Sequence, residues 1–60
     1  MNLKKIMLER DIKVPDLYKI SDVPIRTIED IIKRGDCRVS TAIKLADALR
    51  ITLDELCRDV

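Results

Sequence analysis

Chemistry in this chain has to come from a short inventory of side chains. There is no histidine, which removes an imidazole base, any Ser-His or Cys-His pair and the commonest metal ligand. Ser21, Thr27, Ser40 and Thr41 carry hydroxyls with no base to activate them. Cys37 and Cys57 are the two thiols, and two ligands cannot complete a structural zinc site. They could pair in an oxidising compartment, but no secretory signal points to one, so they read as reduced packing thiols. No catalysis, metal or cofactor is expected. What remains is charge. Twelve Lys and Arg against eleven Asp and Glu give a net charge of +1, well short of the strongly basic balance of many nucleic-acid binders. The distribution says more: residues 1–38 hold nine basic and seven acidic side chains, residues 39–60 three and four. An anionic partner should meet the first half.

The elements that must position these groups are helices. Sixty residues allow one small domain and no second core, and a chain of this size buries only about 60% of its unfolded surface. The apolar residues are mainly Leu, Ile and Val, with one Tyr and no Phe or Trp, so branched aliphatics must fill the core. One Gly and two Pro are too few for a sandwich of tight hairpins. Apolar runs reach only two or three residues, so nothing spans a membrane and the chain reads as cytoplasmic.

Five helices follow from the spacing. Leu3, Ile6, Met7 and Arg10 recur at helical intervals, with Asn2 available as N-cap and a stop near Asp11. A second helix starts at Pro15, where a missing N–H costs nothing, and runs about two turns through Leu17, Ile20 and Ser21. Asp22-Val23-Pro24 is a turn, and Pro24 opens a third helix marked by Ile25, Ile28, Ile31 and Ile32 that ends before Gly35. After a short loop with Asp36 and Cys37, the residues Val39, Ala42, Ile43, Ala46 and Leu49 form the apolar face of a fourth. Thr52 and Glu55 make a T-x-x-E capping box for the fifth, with Ile51 and Leu56 as a hydrophobic staple. Loss of such a cap typically costs about 1 kcal/mol.

The order of these pieces resembles a known family. Leu3-Lys4-Lys5-Ile6, Leu17, Val23-Pro24, Thr27-Ile28, Lys44-Leu45-Ala46-Asp47-Ala48-Leu49 and Thr52-Leu53-Asp54-Glu55-Leu56 look like the Cro/lambda-repressor (XRE) helix-turn-helix domain. The similarity covers residues 3–57. It implies an all-α, compact five-helix Cro/lambda-repressor-like helix-turn-helix domain over 1–60. Its function would be that of a sequence-specific, repressor-like transcriptional regulator. The third helix would enter the major groove of double-stranded DNA, which is about 12 Å wide and admits a helix. Carried over, Ile25, Arg26 and Asp30 would face bases. Thr27, Lys33, Arg34 and Arg38 would lie nearer phosphates, with Lys13 at the entrance to the second helix. Arginine forked to guanine is the commonest base contact, and an exposed Ile25 could touch a thymine methyl. For each of these residues the plain alternative is a solvated surface or, for Ile25, a protein contact.

Departures from the pattern carry a rival reading. Met7 and Val14 stand where the family often has Arg and usually Gln, both of which clamp phosphates. Glu29 and Asp30 put carboxylates on the reading helix. Asp11, Asp22 and Arg50 occupy places usually given to turn glycines, and a left-handed Arg50 costs roughly 1 kcal/mol. Tyr18 replaces a small residue where two helices cross, so its ring must splay them or point outward. Lys33-Arg34-Gly35 carries one extra residue. On the rival reading Met7, Val14, Tyr18 and Ile25 form an exposed apolar patch on a protein-interaction adaptor or antitoxin-like module. Finally, Leu53, Leu56, Cys57 and Val60 make a stripe on the fifth helix. Leu56 should face inward through its staple, leaving Leu53, Cys57 and Val60 for a homodimer interface; alternatively the whole stripe closes the monomer core.

Overall fold

The computed structural model describes residues 1–58, so Val60 of the expected pairing stripe lies outside the described residues. The chain folds as α1 (Leu3–Glu9), α2 (Val14–Ser21), α3 (Ile25–Arg34), α4 (Val39–Leu49) and α5 (Leu53–Cys57). There is no strand among the described residues. Helix α2 packs against α3 and α4, α5 closes against α1 and α4, and α1 also touches α3. Principal extents of 24 × 22 × 19 Å leave one shared interior. Leu3, Leu17, Ile28, Leu45, Leu49 and Leu56 are its largest fully buried side chains, completed by Ile6, Met7, Val23, Ile31, Ala42 and Ala46.

Local chemistry explains where the helices stop. Asp11, Asp22, Gly35 and Arg50 all adopt left-handed backbone, with φ of 55°, 60°, 73° and 57°. Helices α1 and α4 end in paired Schellman bonds: Ile12 N–H donates to Met7 O (2.9 Å) and Asp11 N–H to Leu8 O (3.3 Å), while Ile51 N–H donates to Ala46 O (3.0 Å) and Arg50 N–H to Asp47 O (3.1 Å). Helices α2 and α3 use the single-bond form, from Asp22 N–H to Tyr18 O (2.8 Å) and from Gly35 N–H to Ile31 O (2.7 Å). At the start of α5 the Thr52 hydroxyl accepts the Glu55 N–H at 3.1 Å, and Ile51 packs against the core beside buried Leu56. The Thr52 half of the expected capping box is present, and Ile51 packs on the core that contains Leu56.

Four expectations need correction. Asn2 sits at the N-terminus of α1 but makes no side-chain cap. Its amide instead donates across to Glu55 O at 3.4 Å, and its N–H donates to Leu56 O at 2.9 Å, so tertiary pairing with α5 outcompetes the local cap. Met7 is buried at 5% exposure, because it lies on the same side of α1 as Leu3 and Ile6; it cannot belong to an exposed apolar patch. Val39 and Ile43 are not on the inner face of α4: they are 68% and 46% exposed, and Leu45 is the buried residue instead. The buried spacing Ala42, Leu45, Ala46, Leu49 is a complete helical stripe, which turns Ile43 outward. Cys57, read both as a packing thiol and as an interface residue, is exposed, which corrects the first reading, whereas Cys37 is half-buried against the core.

Arg10 acts from α1 on α4. Its guanidinium donates to the Leu49 carbonyl, one of the carbonyls that a helix end leaves without an intrahelical partner. Tyr18 points outward, 43% exposed, so α2 and α3 stay in contact.

Candidate nucleic-acid interface

The α2–turn–α3 unit is held rigid from below. Ser21, the buried polar residue, donates its hydroxyl proton to Leu17 O at 2.5 Å and accepts the Val23 N–H at 3.2 Å. Asp22 in left-handed backbone then reverses the chain, Val23 plugs the core at 2% exposure, and Pro24 at φ −53° caps α3. With Leu17 on one helix and Ile28 and Ile31 on the other all buried, the turn presents α3 at one angle.

On α3 the burial pattern separates two faces. Ile28 and Ile31 point into the core, with Thr27 and Ile32 half-buried at its margin. Ile25, Arg26, Glu29, Asp30, Lys33 and Arg34 are exposed. At 100° per residue Arg26, Asp30 and Lys33 fall on one outward line, spanning about 10 Å from Arg26 to Lys33 at 1.5 Å per residue. Arg26 and Asp30 are four residues apart, the spacing at which side chains on a helix meet. Lys33 and Arg34 occupy the last turn, where cations offset the helix dipole. Ile25 stands at the tip at 39% exposure, as the sequence requires for a residue that could touch a base.

The flanking cations come from neighbouring helix starts. Lys13 is the exposed residue preceding α2, and Arg38 the exposed residue preceding α4. The Lys13 N–H donates to the Asp16 carboxylate at 3.4 Å, and Pro15 supplies no N–H to this end, so what Lys13 can offer an anion is its ammonium. Leu53 and Cys57 are exposed on α5, which contacts α1 and α4 and makes no contact with α3. The α3 residues of the first expected set and the α5 residues of the second are thus on helices that do not meet. Exposed Val39 and Ile43 add apolar surface on α4 that spacing alone assigned to the core; Leu45, which makes the full stripe Ala42, Leu45, Ala46, Leu49, was the available signal.

No match was found among curated proteins or among solved structures. The family model of the Cro/C1-type HTH DNA-binding domain matches residues 2–60. That span takes in all five helices, the buried-serine turn and the charged outer face of α3 alike, and the chain belongs to the Cro/C1-type helix-turn-helix DNA-binding domain family.

Proposed function

We propose that this protein is a sequence-specific transcriptional regulator, repressor-like in action, that lays α3 in the DNA major groove as a homodimer in the cytoplasm. The observation that carries the reading is the outward line of Arg26, Asp30 and Lys33 on a helix whose opposite side is locked into the core. Arg26 forks to a base edge, Asp30 accepts from a cytosine amine, and Ile25 packs on a thymine methyl. Thr27, Lys33 and Arg34 with Lys13 and Arg38 hold phosphates. Such contacts fix register without reading sequence. Domains of this family bind and do not typically catalyse, and the hydroxyls here have no histidine beside them.

Pairing follows from size. One module of this kind covers about 600–1,000 Å² of DNA, too little for strong discrimination, and two reading helices about 34 Å apart double it. Leu53 and Cys57 expose the apolar side of α5, with Val60 next on the stripe, and supply the pairing surface. Burial of Met7 takes one of the four residues out of the rival adaptor patch, while Tyr18 and Ile25 stay exposed.

Selection of bound duplexes from a random pool tests both parts. A two-fold symmetric consensus with half-sites one helical turn apart is the expected result. Recovery of no consensus, with binding to random duplex that ignores salt, rejects the reading.

A further inference from the structure

Two thiols left unused by DNA recognition share one cavity. It measures about 170 Å³, lies between the loop after α3 and the end of α5, and is lined by Gly35, Asp36, Cys37, Val39, Leu53 and Cys57 among others. Twenty positions separate the cysteines in sequence, so only the fold brings them to one cavity. We propose that Cys37 and Cys57 constitute a dithiol modification site, which a hydroperoxide closes into an intramolecular disulfide.

The two thiols have different surroundings. In the single chain Cys57 is exposed, so a peroxide reaches it from solvent before α5 is covered by the proposed pairing, while Cys37 is half-buried against the core. Burial pushes the Cys37 thiol up, and negative charge at Cys57 and at Asp36 pushes it further, against a smaller opposing pull from the Met1 amino group. The difference in exposure assigns the order of events, and a raised thiol at Cys37, a poor first nucleophile at neutral pH, agrees with it. The Cys57 thiolate attacks the hydroperoxide: the O–O bond breaks, an S–O bond forms, and an alkoxide or hydroxide leaves and is protonated. The Cys57 sulfur is then a sulfenic acid, oxidised by two electrons. Cys37 Sγ attacks that sulfur, the S–O bond breaks, and the departing hydroxide takes the Cys37 proton as water. Two thiols and one hydroperoxide give one disulfide, one alcohol (or water) and one water.

A metal is not the better occupant, since no cluster of three or more His, Cys, Asp or Glu side chains is placed to hold an ion among the described residues. The bridge would tether the loop that follows α3 to the end of α5. It does not depend on the DNA-binding reading, and its test uses no DNA.

The full-length protein, at a concentration where sedimentation shows monomer, is treated with hydrogen peroxide and analysed by intact mass, peptide mapping and thiol alkylation under denaturing conditions. The expected product is a monomer two hydrogens lighter, bearing a Cys37–Cys57 bridge, without alkylatable thiol, and returned to the starting mass by a thiol reductant. Closing a loop of about 20 residues should raise Tm by about 15–25 °C. Cys37→Ser should halt at a Cys57 sulfenic acid that dimedone traps, and Cys57→Ser should lose its thiol several-fold more slowly than wild type. Disulfide-linked dimers in place of the internal bridge, over-oxidation of Cys57 with Cys37 still free, or a bridged form that melts below the reduced one would each overturn the proposal. The wild-type peptide map stands whether or not either serine variant folds.

Discussion

Helices α3 and α5 are built alike on the inside and differently on the outside. Each presses branched aliphatics into the core: Ile28 and Ile31 from α3, Leu56 from α5, all nearly or fully buried. Outward, α3 shows Arg26, Glu29, Asp30, Lys33 and Arg34, whereas α5 shows Leu53 and Cys57 beside Asp54 and Glu55. Burial of one side satisfies the fold in both cases, so the other side is open to a second purpose. A charged line suits a polyanion with polar base edges; an apolar one suits a surface of its own kind. The two helices do not touch, so on the proposed reading DNA on α3 need not displace a partner on α5.

The sharpest test of that inside–outside division lies within α5. Leu56→Ala empties a fully buried position and should destabilise the monomer by about 2–5 kcal/mol, a large part of what a domain of this size possesses. Leu53→Ala, one turn away and 38% exposed, should cost less than about 1 kcal/mol in the same denaturant titration followed by helical circular dichroism. Equal losses would mean that Leu53 is core and that α5 has no face to spare. Leu53→Glu should stay folded yet sediment as a monomer at concentrations where the wild type pairs. If the wild type is itself monomeric at high concentration, the pairing surface is misassigned.

On α3, Arg26→Ala should reduce discrimination between selected and random duplex by about 1–3 kcal/mol, with little change in melting temperature. An unchanged competition ratio would move the reading role to another residue. Lys33→Ala, on the same line but nearer the helix end, should weaken all duplexes alike and lower the slope of log K against log salt by about one. A sequence-dependent loss there would make Lys33 a base reader and not a phosphate clamp.

The smallest effect concerns the turns that set the two helices in place. Gly35 after α3 and Arg50 after α4 hold nearly the same left-handed backbone, but only one is glycine. Arg50→Gly should stabilise the protein by about 0.5–1 kcal/mol, the strain relieved less the added chain entropy. Gly35→Ala should cost about 1 kcal/mol through φ alone, since a Cβ there would meet no atom within 4 Å. Calorimetry on both variants decides whether the Arg50 backbone is strained as its φ implies.

Nearly all of the helical order was legible in the residues themselves, because its causes act within one turn of chain. Ile28 and Ile31 at a spacing of three, Gly35 at a helix stop, and Thr52 with Glu55 at a helix start each act over four residues or fewer, and all are found where the spacing puts them. The αL stops at Asp11, Asp22 and Arg50 followed only from the family resemblance, which places turn glycines there. The failures share a different cause. Asn2 could cap α1 locally, yet it bonds to Glu55 and Leu56 more than fifty residues away. Val39 and Ile43 have the right chemistry for the core, but only the packing of α2 and α5 on α4 decides which stripe of α4 is covered. Arg10 reaching the Leu49 carbonyl and the cavity shared by Cys37 and Cys57 leave no trace in local spacing. The sequence by itself determined five helices, their ends and the face of α3 that carries charge, since periodicity and capping are short-range. Which apolar residues remain outside, and which distant side chains meet, only the tertiary structure decided, because those outcomes depend on the relative placement of helices joined by flexible turns.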